Sequence, residues 1–518
     1  MFYILERSSQ LPHSFEDCFV RFIPTNDNFH PALTDLSLIY IRPLNDKKGY
    51  ILCLNHNESL GIDKIELLDW LLNHTGKLWT LDKKKALHWL YPLSDKLFDV
   101  NFIQPVNITE LDNACISYYY SKHNALSNIN CLIPISKHYE MCEAIFNMAL
   151  PIIKQYTLSD TTFQFNNFRT ANVFYNIETN GIKVDKNCFI DYYQGKLTNP
   201  QFNLNRSKIY TQYNLYTTTS RPSNTFNSVN FAALHKDDGE RACFKPENNK
   251  FIEIDFQGYH PRLIGEMIGF DFPKDKNTYE YLGYVLGVSQ QEAKELTFKQ
   301  LYGGVWSEYQ SKPFFEKVLA YTDDMWDTYQ YGKSFKTQNK IFIPDESISK
   351  TKLFNYVVQS NETSTNVELL GLVFNLLEGK KTKLVLYTYD AFLFDYSEED
   401  KDLISNFLAS FIFSKSNEKD FLKSIIKNKK ILLLIYLIVS ESLKALPTPI
   451  LNLYLVYTSS VSTPSVSSIM LEIFLVMAKL LLSNIETYKA YVNFEGYDLV
   501  CANPKKGVSA KIQVKSKN

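Results

Sequence analysis

Short apolar runs and alternating apolar and polar positions mark the first part of the chain as β-rich. Cys18–Ile23, Leu36–Ile41 and Tyr50–Leu54 predict strands, while Lys64–Asn73 and Lys83–Tyr91 carry helical apolar spacing. From Lys137 to Glu178 the pattern is mainly helical, and Asn180-Gly181 then signals a turn before Ile182-Lys183-Val184-Asp185. Residues 200–245 are polar and rich in Asn, Ser and Thr, which predicts a long loop with little core. Phe251–Phe256 alternates as a strand, residues 278–302 and 352–379 predict helices, and Leu384–Tyr396 predicts a strand, a turn and a second strand. Leu403–Phe413 predicts a further helix. Beyond it, residues 423–468 become a string of Leu, Ile, Ser and Thr.

Composition adds bounds. At 518 residues the chain exceeds one hydrophobic core and predicts several domains. With 45% hydrophobic and 21% charged residues it is neither disordered nor fibrous. The net charge of −1 gives no global basic field that would advertise a nucleic-acid partner. Arg is scarce, 8 of 55 basic residues, and every Arg lies at or before Arg262. Eight cysteines are scattered with no C-x-x-C pair, which argues against a zinc ribbon. The opening Met1-Phe2-Tyr3 is not a signal peptide, and Ile431–Val439 is too short to span a bilayer. Together these predict a cytoplasmic, reduced, soluble protein with no membrane partner.

Three segments carry candidate chemistry. Asp255 ends the apolar strand Ile252-Glu253-Ile254, and Asp390 stands in the middle of the hairpin Leu386–Phe394. Two carboxylates in one sheet can hold hard divalent cations, which prefer oxygen ligands. Two such ions about 3.5–4 Å apart stabilise both the attacking and leaving oxygens of phosphoryl transfer. Gln290, Lys294, Phe298 and Tyr302 recur every four residues, so one helical face offers a cation and then two aromatics before Gly303-Gly304. A lysine binds a triphosphate as a point charge, and an aromatic ring stacks on a base. Taken alone, each Asp also fits a turn or strand terminator, and the helix also fits an amphipathic one with a solvated lysine.

In order, these segments resemble a family A DNA polymerase, the DNA polymerase I class that includes many phage replicases. The first palm motif D-Y-S-Q-x-E-L-R is similar to Asp255-Phe256-Gln257-Gly258-Tyr259-His260-Pro261-Arg262. The fingers motif R-x-x-x-K-x-x-x-F-x-x-x-Y-G is similar to Gln290 through Lys294, Phe298 and Tyr302 to Gly303, and the H-D-E motif to Tyr389-Asp390-Ala391. Ile177–Asp185 resembles the segment entering the thumb. Thr219-Ser220-Arg221-Pro222-Ser223 with Asn227–Asn230 resembles T-G-R-x-S…P-N-L-Q-N, and Asn355-Tyr356-Val357-Val358-Gln359 resembles N-x-x-x-Q.

The resemblance implies an α+β multidomain fold: an RNase H-like, exonuclease-like domain followed by a right-hand thumb, palm and fingers. It implies Mg²⁺ held by Asp255, Asp390 and the Phe256 carbonyl. Lys294, Phe298, His260 and Gln290 would meet the dNTP. Tyr302, Arg221, Asn230, Asn355, Gln359 and Arg262 would meet template or primer, with Arg206 and Arg241 beside them. Primer–template DNA, dNTPs and a processivity factor or replisome proteins are the implied partners. His260 replaces the family Glu, Gln290 replaces an Arg, and the last palm motif keeps only its Asp. Those departures leave two alternatives: a catalytically impaired DNA-binding relative and a single-subunit RNA polymerase.

The expected divisions are residues 1–135, 136–235 for thumb and connecting segments, 236–415 for palm and fingers, 416–470, and 471–518. Residues 1–135 contain no D-x-E; the first long strand carries no acid; and Leu81–Leu87 resembles the D-A-K-x-A helix of members with an inactive exonuclease. Tyr119 is followed four residues later by His123 instead of Asp. A degenerate 3′–5′ exonuclease-like domain is therefore expected. Residues 416–470 fit no family segment and read as an insertion or shifted frame. In the tail, Asp498, Gln513 and Lys515, with Glu472 upstream, resemble a PD-(D/E)XK nuclease fragment; the same residues also fit a plain hairpin with a basic tail.

Overall fold

The computed structural model describes residues 2–13, 15–102, 129–155, 161–193, 207–224, 229–231, 234, 240–255, 258–273, 277–338, 340–342, 345–400, 486–489, 499–503 and 508–512. It divides into two compact units, Met1–Ile438 and Val439–Asn518.

The first unit opens with a six-stranded sheet. Its strands are β1 (Phe2–Leu5), β2 (Cys18–Pro24), β3 (Leu36–Pro43), β4 (Gly49–Cys53), β5 (Leu78–Thr80) and β6 (Leu97–Asp99), in the order β1-β4-β3-β2-β5-β6. β2, β3 and β4 pair antiparallel, while β5 runs parallel to β2 and β6 parallel to β5. Both faces of the central strands are apolar. Phe19, Leu38 and Tyr40 face helix α3 (Ile135–Lys154), whereas Val20, Ile39 and Ile41 face α1 (Lys64–Asn73) and α2 (Lys83–Leu90). That two-sided burial explains why β3 is buried along its whole length and is apolar without a break over Leu38–Ile41.

The long helical stretch predicted from Lys137 is two helices, α3 and α4 (Thr161–Asn180), followed by β7 (Ile182–Val184) and α5 (Lys186–Tyr193). The polar region 200–245 is less empty than its composition suggests. It supplies β8 (Lys208–Ile209), β9 (Tyr213–Asn214), β10 (Ser223–Asn224) and β11 (Phe244–Lys245), with β11-β7-β8 forming one small sheet and β9-β10 another. Ile209, Tyr213, Leu215, Val229 and Phe231 from this region are buried. A few apolar anchors among many polar residues carry no periodicity, so the pattern misses them. The expectation of a fully reduced chain does not hold at Cys188 and Cys243. They form a disulfide, with Cα atoms 5.1 Å apart, because β7 and β11 bring the two segments together.

The second half of the unit is built on the antiparallel sheet β12-β16-β15, with β12 (Lys250–Asp255), β15 (Lys383–Thr388) and β16 (Ala391–Tyr396). Beside it are helices α6 (Tyr259–Met267), α7 (Thr278–Leu286), α8 (Gln290–Gly303), α9 (Pro313–Gly332) and α10 (Lys350–Leu377), and the short pair β13 (Phe335–Lys336) and β14 (Ile341–Phe342). The single helix predicted over 278–302 is broken. Gly287 takes φ +73° to end α7, and Ser289 starts α8 with a capping box to Glu292. Helices α6 to α10 share one core, in which Phe314, Phe315 and Leu353 are fully buried. Helix α9 was not predicted from the pattern. The second unit contributes β17 (Glu486–Lys489), β18 (Leu499–Asn503) and β19 (Val508–Ile512), a three-stranded antiparallel meander.

Candidate functional site

The register of the β12-β16-β15 sheet sets the site. Asp255, at the end of β12, pairs with Ala391, the residue after Asp390. The two acid-bearing positions therefore stand at one end of neighbouring strands. Phe256 lies outside the described residues. Between β15 and β16 the turn is only Tyr389-Asp390, with Thr388 paired to Ala391. Tyr389 adopts φ +63°, unusual for a bulky residue. Two contacts hold it there: Asn366 Nδ2 donates to the Tyr389 carbonyl at 2.7 Å, and Arg221 stacks its guanidinium 3.7 Å from the Tyr389 ring centre. Asp390 itself is exposed. Protein mass on its flank and the negative charge of Glu362 push its carboxyl above the ordinary aspartate range, with His260 and Arg221 opposing. An acid at the end of the sheet, with a second acid-bearing position one register step away, is the kind of oxygen-ligand arrangement that hard divalent cations prefer.

Behind this turn runs α10, and its inward stripe is polar. Asn355, Gln359, Glu362 and Asn366 follow 4-3-4 spacing, so they lie along one face. Gln359 donates to Asn355 at 2.8 Å and accepts from Thr219 at 3.1 Å. Glu362 is fully buried; it meets Arg221 Nε at 3.0 Å and His260 Nε2 at 3.2 Å. Asn366 accepts from Tyr259 at 2.9 Å and donates to the Tyr387 hydroxyl at 2.9 Å. Neither Glu362 nor Asn366 was singled out from the sequence. They stand in a polar-rich stretch, Gln359–Asn366, in which nothing local sets them apart from their neighbours.

Helix α8 carries several of the expected residues. Lys294 is exposed, and Phe298 and Tyr302 stack with ring centres 5.8 Å apart. Tyr302 also hydrogen-bonds His260 Nδ1. Burial, then the charge of Glu362, pushes the Tyr302 phenol far above the usual tyrosine range. Gln290 is exposed as the first residue of α8. Asn230 is exposed, while Arg262 is half-buried beside Tyr279, where burial lowers its pKa to about 10. Arg241 reaches the Leu234 carbonyl at 3.4 Å. The structure thus gathers Arg221, His260, Tyr302, Gln359 and Asp390 around Glu362. Arg206, Glu472, Asp498, Gln513 and Lys515 lie outside the described residues, as do Tyr119 and His123.

A second buried acid, Glu178 on α4, meets helix α2 beside the six-stranded sheet. Glu178 accepts from Lys84 at 2.7 and 3.0 Å, from His88 at 2.8 Å and from the Tyr213 amide at 2.6 Å. Burial alone would raise its carboxyl, but Lys84, His88 and His30 hold it at about 2. His30, His88 and Glu178 bring possible metal-ligand atoms within 4.8 Å of one another. The Lys84 ammonium already supplies the cationic charge, and His30 Nδ1 accepts from the Ala32 amide, which puts the neutral ring's proton on Nε2. Lys84, His88 and Glu178 thus form a buried ion-pair knot. Asp82 and Asp99, which flank α2 in the sequence, are also spent on structure. Asp82 caps α2, and Asp99 accepts from the Lys83 amide, the Tyr216 hydroxyl and the Asn101 amide.

Among the described residues no helix is long and apolar enough to cross a membrane. No protein-family profile and no curated protein matches the chain. Solved structures do match. One is the POL domain of Pol1 from M. smegmatis in complex with DNA primer-template and dNTP, with a TM-score of 0.54 at 13% identity, covering 79% of this chain and 95% of that one. At that identity the likeness is one of fold: the chain has a mixed α/β architecture that matches a DNA polymerase domain.

Proposed function

We propose that this protein is a template-directed DNA polymerase of family A, phage-like in type, that adds dNTPs to a primer 3′ end. The observation that carries the proposal is the pairing of β12 with β16, which puts Asp255 and Asp390 at one end of the sheet, in a fold similar to a polymerase domain. Asp255 and Asp390 would hold Mg²⁺, which when bound supplies the charge that stabilises the attacking and leaving oxygens. Lys294 holds the triphosphate, Phe298 packs the sugar, and Tyr302 marks the templating position. Catalysis is then mainly positioning and charge stabilisation. The sheet order β4-β3-β2-β5-β6, with three antiparallel and two parallel strands, supports an RNase H-like reading of the N-terminal domain. The structural use of Asp82 and Asp99 supports its being catalytically degenerate.

The test is extension of a labelled primer on a DNA template with Mg²⁺ and dNTPs. Wild type should extend and Asp255→Ala should not. Failure of both while DNA still binds would leave a DNA-binding relative, and extension with rNTPs in preference to dNTPs would make it an RNA polymerase.

A further inference from the structure

Glu362 is a fully buried carboxylate on α10. A buried carboxylate is retained only with partners, and removing one side of such a pair is strongly destabilising. Its partners come from two other elements. Arg221, in the loop before β10, reaches it with Nε at 3.0 Å and Nη2 at 3.3 Å, and His260, on α6, reaches it with Nε2 at 3.2 Å. The same imidazole that faces Glu362 through Nε2 bonds the Tyr302 hydroxyl through Nδ1. One carboxylate thus ends a chain that runs Tyr302 to His260 to Glu362 and crosses from α8 through α6 to α10. Its other arm holds Arg221, whose guanidinium lies over Tyr389, the residue that aims Asp390.

We propose that Glu362 is a positioning residue for nucleotide addition. It sets Tyr302 on the nucleotide-facing helix, and the Tyr389-Asp390 turn, relative to each other. This rests on the polymerase reading above. A purely structural role would call only for a satisfied core. The polar stripe does more, because Gln359, Glu362 and Asn366 all reach elements that carry the candidate site, through Thr219, Arg221, His260 and Tyr389.

The experiment is single-nucleotide primer extension by the full chain under steady-state conditions, as a double-mutant cycle of Glu362→Ala and Tyr302→Phe, with Glu362→Gln as the conservative variant. Glu362→Ala should raise KM for the dNTP by roughly tenfold or more, with a smaller change in primer–template Kd. Glu362→Gln keeps an acceptor for His260 and should recover KM to within about threefold of wild type. Tyr302→Phe and Glu362→Ala should be non-additive, because they break the same chain. If Glu362→Ala does not fold, the cycle is run with Glu362→Met, which fills the same space without an acceptor, and Tyr302→Phe. Additive effects in either cycle, or a folded Glu362→Ala with wild-type KM, would overturn the inference while leaving the polymerase reading intact. A wild-type chain that extends no primer would defeat the polymerase reading itself.

Discussion

Asp99 and Asp390 both stand at the end of a strand, and they show opposite uses of the same side chain. Asp99, at the end of β6, is fully buried and accepts three hydrogen bonds, two from backbone amides and one from Tyr216. Asp390, in the β15–β16 turn, is exposed. The buried glutamates repeat the contrast. Glu178 joins Lys84 and His88 of α2 to α4 and β9, so its partners lead to a contact inside the fold. The partners of Glu362 lead to the candidate site. A carboxylate's role follows from where its donors come from, and burial alone does not reveal it.

The comparison can be broken at several points. The largest effect is expected at Glu178. Glu178→Ala strands Lys84 in a buried site and should lower unfolding free energy by about 3–5 kcal/mol in a urea titration. A loss no larger than that of a surface substitution would mean the knot does not hold α2 to α4. Asp390→Asn should leave the urea midpoint near wild type but reduce primer extension roughly a thousandfold, the scale of removing a main charge stabiliser. Equal losses of stability and activity would put Asp390 in the same class as Asp99.

Acid should act on the sheet domain next. Burial lowers His30 to about 3 and His138 to about 4, from 6.5. The unfolded chain therefore binds protons there that the folded chain excludes, and stability falls as pH drops below 6.5. Glu178, held at about 2 against an ordinary 4.5, adds stability present above pH 4.5 and lost as pH falls toward 2. Urea midpoints at pH 7.5, 6 and 5 should decline in that order, and a flat series would contradict the burial of both imidazoles. The smallest effect is expected at Lys294. Lys294→Ala should raise KM for dNTP by roughly tenfold, the scale of a charged contact, with thermal unfolding unchanged because the side chain is exposed.

Much of the framework was legible from the pattern. Helix α1 falls on Lys64–Asn73 as expected, and the strands at Cys18, Leu36, Tyr50, Phe251 and Leu384 are present within a residue or two. What escaped were elements without a periodic signal. The break at Gly287 required a left-handed φ that apolar spacing does not encode. The buried anchors of 207–231 are isolated among polar residues. Of the site, the motif order along the chain pointed to Asp255, Asp390, Lys294, Phe298 and Tyr302, but it assigned Arg221 and His260 no relation to each other. Glu362 links them, and a Glu in the middle of a helix has no local signature.

The sequence by itself determined which residues could do chemistry and which strands and helices would carry them, because side-chain type and hydrophobic period are local properties. Tertiary structure decided which acids remain open and which are neutralised, because that depends on donors far away in the chain. Arg221 lies 141 residues from Glu362, and Lys84 lies 94 residues from Glu178. The scarce arginines illustrate the division. Their rarity marked Arg221 as conspicuous, yet only the fold showed its charge turned inward onto Glu362 and Tyr389.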